Sequence, residues 1–371
     1  MSLTPLTSPT YDIQDIASQF MIDGDFVFAE SYGSGHINDT FAATYDLSQG
    51  LRRYILQRIN HDVFTNPIGV MENIERVLIH LRQKLSGHAN IDHRALSLLP
   101  TQDGRHYYQD AAGNVWRMYP LIEGARTVDI VESTAQAYEV GKAFGDFQTA
   151  LVDLPEPRLV ETIPHFHDTP KRFADLEAAI EQDVANRAKA AKAEIDFALS
   201  QAEMTGTLVN LQSEGEIPER ITHNDTKINN VLLDNETDKG LCVIDLDTVM
   251  PGLVLYDFGD MVRTATCFAA EDERDLSQVK MEMPIFEALA KGYVEATTSF
   301  LNPIEKQYLA FSGKLITFEI GIRFLTDHLS GDTYFKTHRP NHNLDRCRTQ
   351  FKLVESIMTQ ETDMARFVEA L

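Results

Sequence analysis

One stretch of this 371-residue chain concentrates side chains able to hold a metal ion and move a proton. Residues His223-Asn224-Asp225-Thr226-Lys227-Ile228-Asn229-Asn230 read H-x-D-x-x-x-x-N, and Asp245-Leu246-Asp247 follows fifteen residues after Asn230. Asn230 and Asp245 offer hard oxygen ligands, few in number, which leaves positions for phosphate and water. Those are the needs of a Mg²⁺ ion that bridges phosphates. Between them, the apolar runs Val231–Leu233 and Leu241–Ile244 flank the turn-rich segment Asp234–Gly240, so the pattern predicts a β-hairpin. With its turn centred near Thr237 and Asp238, Asn230 is expected to face Asp245 across the hairpin, at the mouth where Asp225 sits. Asp225 is then available to take or orient the proton of an acceptor hydroxyl. His223 reads as a brace for the loop.

The five-residue step from Asp225 to Asn230 is that of a kinase catalytic loop. Asp257-Phe258-Gly259 spells a second kinase motif, but it lies twelve residues beyond Asp245, so Asp257 reads as a structural brace under the loop. Asp247 has two readings. On a continuing strand it shares a face with Asp245 and helps with metal or substrate, or it forms the turn before Pro251-Gly252. Upstream, Tyr32-Gly33-Ser34-Gly35-His36-Ile37-Asn38 lies between strand-like runs. It lacks the third glycine and helix of a dinucleotide fingerprint and the lysine of a P-loop. As a hairpin tip it is expected to bring backbone N–H groups over phosphates. The strand position where kinases carry a lysine falls on Gln57, with Arg58 next to it and Glu75 or Glu72 as the helical partner. Arg58 reaches the phosphates if the strand twists or bulges. His165, His167 and Asp168 lack a third separated ligand and read as a polar surface loop.

The elements that must position these groups fall into two parts. From Phe26 to about Arg117 the chain is strand-rich and interrupted by one helix, where Val70, Ile74, Val77, Leu78 and Leu81 keep helical spacing. Beyond Pro120 the segments 132–151, 171–212, 284–299, 304–330 and 343–370 read as helices, broken by a strand-rich island at 220–260. The expected architecture is α+β and bilobal. Residues 1–117 form a small lobe with a sheet, the glycine loop and one helix. Residues 118–123 form a hinge, and 124–371 form a larger helical lobe with the catalytic loop and metal hairpin. The alanine-rich run 185–193 reads as a solvated helix face.

Composition narrows the partners. Lys and Arg number 33 against 56 Asp and Glu, a formal charge of −23, which disfavours nucleic acid and anionic membrane surfaces. Three widely spaced cysteines without a CxxC pair argue against disulfides or zinc and for a cytoplasmic setting. No apolar run approaches the roughly 18 residues of a spanning helix. An acid-rich site repels bare triphosphate, so nucleotide binding is expected to need a divalent metal, with basic help from Arg58, Arg323 and backbone amides.

The glycine loop with His36, the segment Trp116–Glu123, the 223–230 loop and Ile244–Asp247 together resemble the aminoglycoside phosphotransferase, choline kinase and homoserine kinase superfamily, a protein-kinase-like group. Over about Tyr11 to Ser356, with stretches such as His165–Pro170 and Phe324–Phe335, the similarity is greatest to its N-acetylhexosamine 1-kinases. This resemblance implies transfer of the ATP γ-phosphate to the anomeric hydroxyl of N-acetylglucosamine or N-acetylgalactosamine. It implies Asp225 as catalytic base, and Asn230 and Asp245 as Mg²⁺ ligands. His36, Arg323 and Tyr334 become sugar contacts beside Asp225. Gly33, Gly35, Arg58, Glu75, Tyr119 and Leu121 then serve ATP, with hinge backbone around Tyr119–Leu121 holding the adenine. Arg323 alternatively pairs with Glu319 one turn earlier, and Tyr334 is alternatively an interface aromatic. A kinase of the same fold for an amino acid or amino alcohol, and a silent nucleotide-binding regulator, remain as alternatives; the absent strand lysine motivates the second.

Overall fold

The computed structural model describes residues 11–33 and 37–371, and these form two unequal parts. The smaller begins with α1 (Ile13–Ala17), followed by β1 (Asp25–Ser31), β2 (Asp39–Leu47), β3 (Gly50–Arg58), α2 (Pro67–Lys84), β4 (Tyr108–Gln109) and β5 (Val115–Pro120). The strands make one antiparallel sheet in the order β1-β2-β3-β5-β4. Alternation sends its two faces to different cores. Leu56, Trp116 and Met118 pack under α1, whereas Ile59, Val115 and Tyr119 pack on the apolar stripe of α2. Asn66 caps α2, accepting from the Gly69 N–H at 3.0 Å, and Pro67 opens its first turn. Asn73 fixes the helix to the larger part, donating to the carbonyls of Val160 (2.8 Å) and Val249 (3.0 Å).

The larger part runs through β6 (Ala125–Arg126), α3 (Thr134–Leu151), α4 (Thr169–Gln182), α5 (Lys192–Ser200), α6 (Thr207–Ser213), β7 (Arg220–Thr222), β8 (Val231–Asp234), β9 (Gly240–Val243) and β10 (Met250–Gly252). It closes with α7 (Val254–Ala265), α8 (Met283–Thr297), α9 (Pro303–Gln307), α10 (Leu309–Leu329) and α11 (His342–Ala370). Helices α3 and α8 pack backbone to backbone. A Cβ at Gly141 would meet the Leu289 carbonyl oxygen, and one at Gly292 the Tyr138 carbonyl oxygen. Cys242, Cys267 and Cys347 are free and buried, and burial raises all three thiol pKa values, that of Cys242 to about 12. Among the described residues no helix is long and apolar enough to cross a membrane.

The α+β, two-part architecture is that expected from sequence, with three corrections. The run 171–212 is not continuous helix: Asp183 and Asn186 take positive φ (35° and 55°) and break it. Residues 185–191 of the segment read as a solvated helix face are therefore turn, ahead of α5, and Arg187 among them donates to the His328 carbonyl (2.9 Å) and pairs with Asp332. The strand-rich island also ends sooner, because Asp257-Phe258-Gly259 lies within α7.

Candidate active site

The 223–230 loop, expected from sequence to be the catalytic loop, joins β7 to β8. Its shape comes from Asn224, whose φ of 65° lies in the left-handed region that asparagine tolerates. The Asn224 amide donates to Thr248 O at 2.9 Å, and its Oδ1 accepts from the Thr222 hydroxyl at 2.9 Å. The place where protein kinases carry arginine is thus a turn-maker here. Beneath it, buried Asp257 accepts from the backbone N–H groups of His223 (2.8 Å) and Asn224 (2.7 Å) and from Gln148 Nε2 (2.7 Å). Burial pushes its carboxyl pKa up against the pull of those donors. Asp257 is the brace read from sequence. His223 is a brace too, with Nε2 2.9 Å from Ile244 O and Nδ1 accepting from the Asp225 N–H at 3.3 Å, an arrangement that assigns the proton to Nε2.

Asp225 sits half-buried above this support. Its Oδ1 lies 3.0 Å from Lys227 Nζ, and its Oδ2 accepts from Asn230 Nδ2 at 3.3 Å. Burial acts to raise its pKa, but Lys227, with Arg263 further off, outweighs burial and holds the carboxyl below the ordinary range. Asn230 also donates to Asp225 O at 2.8 Å. The hairpin register differs by one from expectation. Val231 pairs with Val243 and Leu232 with Cys242, a bulge follows towards Gly240, and the Ile244 N–H donates to Asn230 O, so Ile244 faces Asn230. Asp245 reaches the mouth through a left-handed residue (φ 59°) that opens a short 3₁₀ turn, Leu246–Thr248. The strand therefore does not continue to Asp247.

Protein around Asp245, followed by the Asp247 and Asp225 carboxylates, pushes its pKa up to about 6, although its side chain reaches solvent. Neither its carboxylate nor Asn230 Oδ1 has a hydrogen-bond partner among the described residues. Uncommitted carboxylate and amide oxygens beside a second carboxylate fit a small hard cation that keeps several non-protein ligands. Asp247 is committed elsewhere: one oxygen pairs with Arg117 of β5, and the other accepts from Asn38 Nδ2 at 2.6 Å. Asn38 ends the turn between β1 and β2, the hairpin tip expected from sequence. Gly33 has φ 76° there, while Gly35 and His36 lie outside the described residues.

Other predicted nucleotide contacts are placed differently. Arg58 Nε donates to Asp39 at 2.7 Å, and its guanidinium lies over the Tyr11 ring, so β3 neither bulges nor turns it to the acid cluster. Glu75 accepts from His106 Nδ1 at 2.8 Å, and Glu72 is exposed. Gln57 faces Arg117. In the hinge, Tyr119 is buried in the α2 core and Leu121 donates its N–H to Arg53 O at 3.0 Å. Pro120 has no N–H, and the Ile122 and Glu123 N–H groups have no acceptor among the described residues, which makes these two the available hinge donors.

Arg323 and Tyr334 meet in a pocket of about 200 Å³ between α4, α10 and the turn after α10, which Arg172 also lines. The Arg323 guanidinium lies over the rings of Phe166 (5.2 Å), Phe335 (5.7 Å) and Tyr334 (5.9 Å) and does not pair with Glu319. Asp327 builds the turn, accepting from the N–H groups of Thr333, Tyr334 and Phe335. Burial, and then Arg323, lower the Arg172 pKa. Glu319 instead takes His167 at 2.8 Å and the Thr169 hydroxyl at 2.6 Å, and the other His167 nitrogen lies 3.0 Å from Asn224 O. His167, read from sequence as part of a surface loop, is a buried strut between pocket and catalytic loop. His165 and Asp168 are the exposed pair of that motif, and Asp168 caps α4. A larger cavity of about 240 Å³ near Gln148, Arg158 and Arg220 contains none of the predicted residues, and its arginines are paired with Glu219 and Glu305.

A small sheet and a larger helical part with these loops at their junction define a protein-kinase-like phosphotransferase architecture. Residues 29–289 match the Phosphotransferase enzyme family, and the chain belongs to it. Similar folds include a microcompartment-associated aminopropanol kinase (14% identity, TM-score 0.60, 95% of this chain and 98% of the other). An aminoglycoside phosphotransferase from Alicyclobacillus acidocaldarius shares 13% identity over the whole of both chains at TM-score 0.61. A choline/ethanolamine kinase family protein from Mesorhizobium loti shares 14% identity over 93% of each chain at TM-score 0.53. At these identities the similarity is one of fold.

Proposed function

We propose that the chain is an ATP- and Mg²⁺-dependent kinase that phosphorylates the anomeric hydroxyl of an N-acetylhexosamine, giving the sugar 1-phosphate. The observation that carries this reading is the meeting of Asp225, Asn230 and Asp245 at one mouth, with Asp257 and His223 used up in holding the loop. Asn230 Oδ1 and the Asp245 carboxylate would hold Mg²⁺, which when bound neutralises nucleotide phosphate charge. Asp225, kept ionised by Lys227, accepts the hydroxyl proton through the oxygen that Asn230 orients. Lys227 then offers its charge to the phosphoryl group in flight. The Ile122 N–H and hinge carbonyls serve the adenine, and the Gly33 turn serves the phosphates. Positioning and electrostatics supply most of the rate in such transfers.

The acceptor reading rests on the pocket of Arg172, Arg323 and Tyr334, where guanidinium and phenol groups suit a molecule rich in hydroxyls and carrying an amide carbonyl. An amino alcohol would bring an ammonium group to a lining that holds the Asp175 and Asp327 carboxylates as well as the two guanidiniums, so the acceptor panel separates the two readings. The test is ADP release with a panel of N-acetylhexosamines, amino acids and amino alcohols, followed by ³¹P NMR of the product. Phosphate on C1 of an N-acetylhexosamine is expected. Turnover confined to the other acceptors, or phosphate on C6, overturns the assignment.

A further inference from the structure

We propose that Arg117 supplies, from β5, the fixed positive charge that kinases of this architecture draw from a lysine on the third strand. The proposal rests on the nucleotide-binding reading above. Gln57 stands at the lysine position, and the register of β3 and β5 makes Gln57 and Arg117 direct partners. Gln57 Oε1 accepts from Arg117 Nε at 3.1 Å and Nη2 at 3.0 Å, while Gln57 Nε2 donates to the Thr40 hydroxyl at 3.1 Å. That second bond fixes which end of the amide meets the guanidinium. Nη1 of Arg117 pairs with Asp247, and the other Asp247 oxygen holds Asn38 at the end of the glycine turn. The acid answering the cation thus lies two residues after Asp245 and not on α2, whose Glu75 is bound to His106.

An arginine has five N–H donors. Three are used here, and two find no acceptor among the described residues although the side chain is only 1% exposed. A guanidinium that cannot lose its proton, held by three bonds beside Asp245 and Asp247, is a preorganised charge where water screens little. It offsets carboxylates that would otherwise repel the nucleotide phosphates. The cation is relocated across one register pair, which removes the observation that favoured a silent regulator.

The test is ADP binding by calorimetry with MgCl₂ and with EDTA, alongside thermal melting of each variant. Arg117→Gln is expected to fold and to weaken Mg·ADP binding at least about tenfold, the range of one charge-assisted contact. The exchange Gln57→Lys with Arg117→Gln returns the charge to β3 and is expected to bring affinity back to within about threefold of the unaltered protein. Arg117→Lys keeps the charge if the glutamine variant fails to fold, and is held to the same threefold limit. Unchanged affinity in folded Arg117→Gln overturns the proposal. So does a folded exchange or lysine variant that binds ten times more weakly, which would mean the ion pair is only a strut. Failure of the unaltered protein to bind ADP would instead refute the nucleotide reading itself.

Discussion

Replacing His167 with glutamine tests whether the Arg323 pocket and the 223–230 loop are joined by a buried charged strut. His167 and Glu319 are buried, 2.8 Å apart, and the second imidazole nitrogen lies 3.0 Å from Asn224 O. Burial acts to lower the His167 pKa, but the Glu319 carboxylate outweighs it, so the value lies above the ordinary 6.5. Burial likewise acts to raise Glu319, whereas His167 and the Thr169 hydroxyl hold it below 4.5. Removing one partner of a buried pair costs about 3–5 kcal/mol. Glutamine keeps a donor and an acceptor, and Thr169 still serves Glu319, so the lower end, about 3 kcal/mol, is expected. The raised His167 pKa stabilises the fold below the unfolded value and ceases to do so as pH rises through the folded one. The depressed Glu319 pKa stabilises above its unfolded value and ceases to do so as pH falls through the folded one. The deficit of His167→Gln is therefore largest between about pH 5 and 6.5 and shrinks towards pH 9. Urea unfolding of both proteins at pH 5.5, 7.5 and 9 measures it. An equal deficit at every pH would refute the ion pair, and no deficit would refute the strut.

Four further outcomes are expected. Asp225→Asn should lower turnover by about 10²–10⁴-fold while ADP binding persists, because the proton acceptor is lost; the Lys227 ion pair goes with it, so a modest fall in melting temperature is expected as well. Asp257→Asn turns an NH₂ group towards one of two backbone N–H donors and should cost about 2 kcal/mol, visible in urea melts and as faster amide exchange at His223 and Asn224. Gly292→Ala drives a Cβ into the Tyr138 carbonyl and should destabilise by about 1–3 kcal/mol or more, since backbone cannot step aside as a side chain can; a neutral melt would contradict the close α3–α8 packing. Chelating divalent metal should weaken ADP binding measured by calorimetry, since the Asp245 carboxylate, unlike Asp225 with Lys227 and Asp247 with Arg117, then faces the phosphates without a cation.

The parts of the site legible in sequence are those made by neighbours along the chain. Asp225 and Asn230 share one loop, the hairpin follows directly, and Asp257, twelve residues beyond Asp245, reads as the brace that its bonds to the His223 and Asn224 N–H groups make it. The one-residue difference in the hairpin lies in its turn, where Asp238 takes positive φ and the register shifts between Leu232 and Leu233, and the left-handed Asp245 then carries its carboxylate to the mouth; no alternation pattern announces either. His167 was hidden because its partner Glu319 lies 152 residues away, and a local H-x-H-D motif looks solvated without it. Arg117 was hidden for a similar reason: its partners Gln57 and Asp247 are 60 and 130 residues distant, the first brought to it by the β3–β5 register and the second by the 3₁₀ turn after Asp245. The asparagine of the H-x-D triplet is the one local signal of the positive-φ turn at Asn224.

The three buried cysteines make the native chain nearly silent to maleimides. Thiols kept protonated and shielded from solvent react slowly, so a cysteine introduced at exposed Leu51 on the sheet or exposed Val184 beyond α4 would take a dye almost alone. Energy transfer between the two dyes would follow the separation of the sheet from the helical body in solution, without first stripping the protein of its own sulfur.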